Sequence, residues 1–220
     1  MERWKRGLVG TGLAFVVLFV AGFLLLGELF GGFADPDRFF VAHYANDANL
    51  ARDLAGGVLL VAAGLALLLF LEQLTRHLRA LGGSDVGLDA AHSSGIVAVT
   101  LLLAGAAALT TVTVALTFGL MTDDEPLTSP AVSLAPQLGY VLVMFPAMWA
   151  LALAIAALVW SGWRVPGWPG WFRWLSVAAV VLLPLSAFAF MTIVLLPVWA
   201  LGATVWAWRS PLGAPQHATR

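Results

Sequence analysis

Between Gly7 and Phe30 the chain runs for 24 positions with a single ionisable side chain, Glu28. A helix of that length covers the roughly 30 Å of hydrocarbon in a bilayer at about 1.5 Å per residue. The run also exceeds the roughly 7–15 apolar residues of a cleavable leader. Despite the basic start "MERWKR" and the small-residue "GFA" before Asp35, it therefore reads as an uncleaved first span. Further runs of the same kind follow. Of the 220 residues, 61% are hydrophobic and 10% charged, whereas a soluble domain carries about a quarter charged residues. Such a chain cannot cover itself with polar surface in water. The expected fold class is all-α: a polytopic membrane helical bundle of six transmembrane helices, forming one integral membrane domain over 1–220.

The spans are expected at about 7–30, 55–75, 95–120, 137–161, 173–187 and 190–208. The last two come from one apolar run, Trp174 to Trp208, whose 35 residues would make an unbroken helix of roughly 52 Å. A tight hairpin bending near "PLSAF" accommodates it. Pro184 and Ser186 lie at the bend, where irregular backbone must find partners inside the protein. Loops are expected at about 31–54, 76–94 and 121–136.

Basic residues set the orientation. With both termini cytoplasmic, Arg3, Lys5, Arg6, Arg76, Arg79, Arg164, Arg173, Arg209 and Arg220 lie inside, and only Arg38 and Arg52 lie outside. Nine against two follows the positive-inside rule. Tryptophan, which favours the membrane–water interface, agrees: Trp4, Trp160, Trp163, Trp168, Trp171, Trp174, Trp206 and Trp208 fall at the cytoplasmic boundary. Trp149 and Trp199 fall mid-span, either packed on each other or facing lipid.

The segment "DPDRFFVAHYANDANLARDLAGG" (35–57) is the densest in ionisable groups. Asp35 followed by Pro36 is a helix start, with an N-cap acid and a proline at the first helical position. Continued as a helix, Phe40, His43, Asp47, Leu50 and Leu54 make one stripe. This is a short interfacial helix after the first span. His43 and Asp47, four apart, form a candidate polar, pH-sensing site able to shuttle protons or contribute to a cation site. The competing reading has "AND" at 45–47 break the helix, with Asp47 capping the next one. A continuous helix from Pro36 to Ala80 would reach roughly 68 Å.

Other polar residues have simpler accounts. Glu28, near the outer end of the first span, has no local basic partner and joins the candidate site. Glu72 and Arg76 form a cytoplasmic helix-end ion pair at i,i+4. The acids of "DDEP" (123–126) read as a solvated outer loop rather than a cation site. Thr100, Thr110, Thr111, Thr113 and Thr117 either line a polar path or satisfy themselves on the preceding turn, with Gly105 making this a small-residue packing helix. Pro146 and Pro197 are expected to kink their spans.

No catalytic or metal-binding residues are assigned, and no cofactor is expected. The absence of cysteine removes disulfides, thiolate metal sites and cysteine nucleophiles. Haem between helices needs histidine within a span, and on these boundaries none contains one. Zinc-protease, serine-hydrolase, P-loop and dinucleotide motifs are lacking. "DANLARDLAGG" lacks the ordered glycines and later aspartates of a CDP-alcohol phosphotransferase. A net charge of −1 offers nothing to nucleic acid. The expected partners are the lipid bilayer and a second copy or another membrane protein.

The opening "LVGTGLAFVVLFVAGFLLLG", the outer "DPDRFFVAHYANDANLARDL", the second-span end "LFLEQLTRHLRA" and the closing "WLSVAAVVLLPLSAFAFMTIVLLPVWALGATVWA" together resemble bacterial six-helix integral membrane proteins of the domain-of-unknown-function type. The resemblance implies a multi-pass protein of the plasma membrane and carries over no catalytic residues. The expected function is non-enzymatic: an accessory, interaction or envelope-sensing protein. The alternative is a transporter or channel subunit for ions or small molecules, using Glu28, the threonines and the proline kinks.

Overall fold

The computed structural model of the chain describes residues 2–27, 29, 36–120, 130–163, 165 and 167–210. Glu28 and the acidic run 123–126 lie outside the described residues. Helix α1 is Glu2–Leu25, α2 Pro36–Tyr44, α3 Asp47–Ala80 and α4 Asp85–Thr117. Next come α5 (Pro130–Leu142) and α6 (Met148–Gly162), joined by a π segment at Val143–Ala147, then α7 (Gly170–Leu182) and α8 (Leu195–Arg209). No strand occurs among the described residues. Six helical stretches are long and apolar enough to cross a membrane: Arg6–Leu25, Asp47–Ala80, Asp85–Thr117, Val132–Gly162, Gly170–Ala187 and Phe190–Arg209.

Neighbour relations close these six into a ring. α1 packs on α3 and α8, α3 on α4, α4 on α5 and α6, α6 on α7, and α7 on α8. Two glycine crossings bring backbones together on either side of the α3–α4 pair. A Cβ added at Gly22 of α1 would stand 3.0 Å from the Gly56 carbonyl of α3, and one at Gly139 of α5 would stand 2.7 Å from the Gly105 carbonyl of α4. Lipid gives apolar helices no hydrophobic reason to associate, so close van der Waals approach of this kind holds such bundles. Inside the ring, Trp199 is 1% exposed, edge-on to Phe70 and stacked with Phe172. Its indole Nε1 donates to Ser176 Oγ at 3.0 Å. Trp149 is instead 50% exposed on the outside, so the two mid-span tryptophans play opposite parts.

The region expected as a loop over 76–94 is helical except for a tight turn. α3 and α4 have 34 and 33 residues, about 50 Å each, and meet through 81–84. Gly82 adopts φ +89 at the end of α3, a left-handed C-terminal position that glycine takes without strain. The excess length beyond the membrane carries an exposed charge network: Arg76 on Glu72 at 2.6 Å, His92 on Glu72 at 3.0 Å, and Arg79 on Asp85 and Asp89. His77 does not belong to an open segment, as the sequence implied. It is buried within α3 with its ring 5.3 Å from that of Trp206.

The closing hairpin bends through two 3₁₀ segments, Leu183–Ala187 and Phe190–Val194. Ser186 Oγ donates to the Met144 carbonyl at 2.7 Å, tying this bend to the π segment that contains Pro146. Two interruptions of regular helix thus support each other, as irregular backbone at membrane depth requires. Pro197 lies in the first turn of α8, directly after the 3₁₀ segment Phe190–Val194, so it stands next to the point where this span departs from regular α-helix.

Candidate functional site: a buried histidine–aspartate pair

The chain breaks at Ala45–Asn46, between α2 and α3. Asn46 caps α3, its side-chain oxygen accepting from Ala48 N at 3.0 Å. Asp47 is thus the first helical residue rather than the cap. It is exposed and off the stripe that carries His43, so the i,i+4 pairing of His43 with Asp47 does not form. Turning α2 back onto α3 brings a different carboxylate to the imidazole. His43 Nε2 meets Asp53 Oδ2 at 2.7 Å, and both side chains are buried, Asp53 to 0% exposure.

Burying a carboxylate is costly unless it is paired and hydrogen-bonded, so this contact dominates the local energetics. Asn49, one turn before Asp53 on α3, completes the arrangement. Its Nδ2 donates to the His43 backbone carbonyl at 3.1 Å and lies 3.4 Å from His43 Nδ1. The pattern fits an imidazole that donates from Nε2 and accepts at Nδ1. A second proton on Nδ1 would set donor against donor at Asn49.

Aromatic rings seal the pair. Phe39 stacks on His43, Tyr44 stands edge-on to it, and Phe40 stacks on Tyr44. α2 contacts α3 and α5. The Tyr44 hydroxyl and Asp53 Oδ1 are buried with no hydrogen-bond partner among the described residues. Burial, and then the charge of Asp53, push the Tyr44 phenol above the ordinary tyrosine range. Thr113 of α4 is also fully buried with an unpartnered hydroxyl. It lies one turn beyond Thr110, which meets Gly57 of α3, and Asp53 lies one turn beyond Gly57 toward the same end. Half-buried Arg52 precedes Asp53, and α5 presents buried Ser133 near its start. Apart from Thr113, the span threonines Thr100, Thr110, Thr111 and Thr117 bond to carbonyls four residues back. That pattern belongs to a packing helix rather than a polar path.

Of the sequence-derived candidates, then, the structure keeps His43, leaves Asp47 in the open and does not describe Glu28. It adds Asp53, Asn49, Tyr44 and Thr113. Asp53 carried a faint sequence signal: it follows the break at 45–47 by about two turns, the reach of a helix folded back on its successor. Among the described residues, no group of three or more His, Asp or Glu side chains is gathered as a metal site. No family model matches the chain, nor does any curated protein or solved structure.

Proposed function

We propose that this chain is a non-enzymatic multi-pass protein of the plasma membrane that senses proton activity at its outer face through the His43–Asp53 pair. The orientation rests on charge: Arg76, Arg79, Arg173 and Arg209 gather at the end opposite α2, which the positive-inside rule assigns to the cytoplasm. The observation that carries the sensing role is the buried 2.7 Å contact. It clamps an amphipathic helix onto the bundle through an imidazole, a side chain that can take up a second proton. A second proton on Nδ1 turns the acceptor that faces Asn49 into a donor and at the same time adds charge attraction to Asp53, so acidification changes how α2 is held on α3. Among the described residues, the charged and titratable groups nearest His43 in the chain and the site are Asp53, Arg52 and Tyr44, with Asp47 in solvent.

The test is cysteine accessibility at Phe40→Cys, a buried position on α2, across about pH 5 to 7. Labelling changes across this range, and the change disappears in a His43→Gln background. Identical profiles with and without His43→Gln end the proposal.

A second reading, ion transport, draws on the buried unpartnered oxygens Asp53 Oδ1, Tyr44 Oη and Thr113 Oγ1, since oxygen atoms are the ligands hard cations take. Proteoliposome flux abolished by Asp53→Asn would favour it over sensing.

A further inference from the structure

At the opposite end of the bundle from His43, a cavity of about 650 Å³ lies between α6, α7 and the turn joining α3 to α4. That size is in the range of ligand sites, roughly 300–1,000 Å³. Its floor is apolar: Ala156 and Val159 from α6, Val177 and Val180 from α7. Trp160 and Trp163 stand at the α6 edge, and both are exposed.

Arg173 belongs to the same stripe of α7 as Val177 and Val180, four and seven residues earlier. Its guanidinium lies over the Trp163 ring, 5.4 Å from the centroid. Among the described residues it makes no ion pair, and its Nε is buried without a hydrogen-bond partner. α7 also begins at Gly170 without a side-chain cap, and Arg173 is a cation in its first turn, reaching the cavity edge where its guanidinium lies on Trp163. A cation near a helix N-terminus works against the helix dipole. An anion held between the two resolves the conflict. From Arg173 to Val180 the groove descends about 10 Å along α7, from the interfacial tryptophans into the apolar layer.

We propose that this groove binds one anionic phospholipid, its acyl chain against Ala156, Val159, Val177 and Val180 and its phosphate on Arg173. The charge is complementary, and the geometry matches a molecule with a phosphate at the interface and a chain running inward. A helix from a partner protein would fill the apolar part but leave Arg173 without a counter-charge.

The test is native mass spectrometry of the full chain released from detergent, titrated with phosphatidylglycerol, phosphatidylcholine or glycerol phosphate. Phosphatidylglycerol is retained about tenfold better than phosphatidylcholine, the scale of one charge-assisted contact, and glycerol phosphate is not retained. Arg173→Gln removes the preference, whereas Arg209→Gln, at the same end but on α8, preserves it. Ala156→Phe, which fills the floor, lowers retention of both lipids. Equal retention of the two lipids by the wild type overturns the site, as does an unchanged preference in Arg173→Gln. Retention of glycerol phosphate comparable to that of the lipid, or a photo-crosslinker at Val180 capturing protein instead of lipid, overturns it too. None of these outcomes depends on His43 or Asp53.

Discussion

His43 Nε2 and Asp53 Oδ2 stand 2.7 Å apart across the break between α2 and α3, out of reach of solvent. Removing one partner strands the other in an apolar site, which typically costs about 3–5 kcal/mol. His43→Ala and Asp53→Ala are each expected to destabilise the protein by about 3 kcal/mol in equilibrium unfolding from mixed micelles. The double variant loses less than the sum, with a coupling energy of about 1–3 kcal/mol. Strict additivity would mean that the contact contributes nothing. Asp47→Ala, at an exposed position, shifts stability by less than about 0.5 kcal/mol.

Tyr44 gives an alkaline signature. Its folded pKa is raised above the ordinary 10.0 by burial and by Asp53. The unfolded chain therefore loses this proton first as the pH rises. The contribution to stability is complete below about pH 10 and declines above it. The chain has two tyrosines, so Tyr140→Phe leaves Tyr44 alone to be followed by ultraviolet absorbance. No tyrosinate band is expected near pH 10 while the protein stays folded, and a normal titration there contradicts the burial of this hydroxyl.

Gly139 sets the approach of α5 to α4. A Cβ there would lie 2.5 Å from Leu109 N and 2.7 Å from the Gly105 carbonyl, whereas at Gly10 nothing lies within 4 Å. Backbone cannot give way as a flexible side chain can, so Gly139→Ala is expected to cost about 1–3 kcal/mol. Gly10→Ala should be neutral to slightly stabilising. Thermal unfolding of the two variants side by side checks this.

Ser176 accepts from the Trp199 indole in the interior of the closing hairpin. Ser176→Ala leaves that N–H buried and unpaired, an expected loss of about 1–3 kcal/mol. Trp199→Phe in the same background should recover part of it, because the orphaned donor goes too. No recovery would assign the loss to packing alone.

The absence of cysteine makes the orientation directly testable. Ala45 and Ser84 are exposed at opposite ends of α3. An impermeant thiol reagent is expected to label Ala45→Cys on intact cells and Ser84→Cys only after lysis. The reverse pattern inverts the orientation on which outer-face sensing rests.

The amino-acid sequence already dictated six apolar helices and roughly their places, because the cost of exposed backbone in hydrocarbon leaves a long apolar run almost no alternative to helix. It also placed the α2 start at Pro36, the bend of the last hairpin and the Glu72–Arg76 contact, all governed by near neighbours in the chain. The partner of His43 was beyond its reach. An i,i+4 spacing favours Asp47 only while the helix continues, and Asn46 ends it by capping the next. Which carboxylate then meets the imidazole depends on the angle at which α2 folds back. The packing of α2 against α3 and α5 fixes that angle. The parts of Trp199 and Trp149 were undetermined for the same reason, since a span's periodicity does not say which of its faces a ring of helices will enclose. Those outcomes came from packing, because the contacts that set them join residues far apart in the chain.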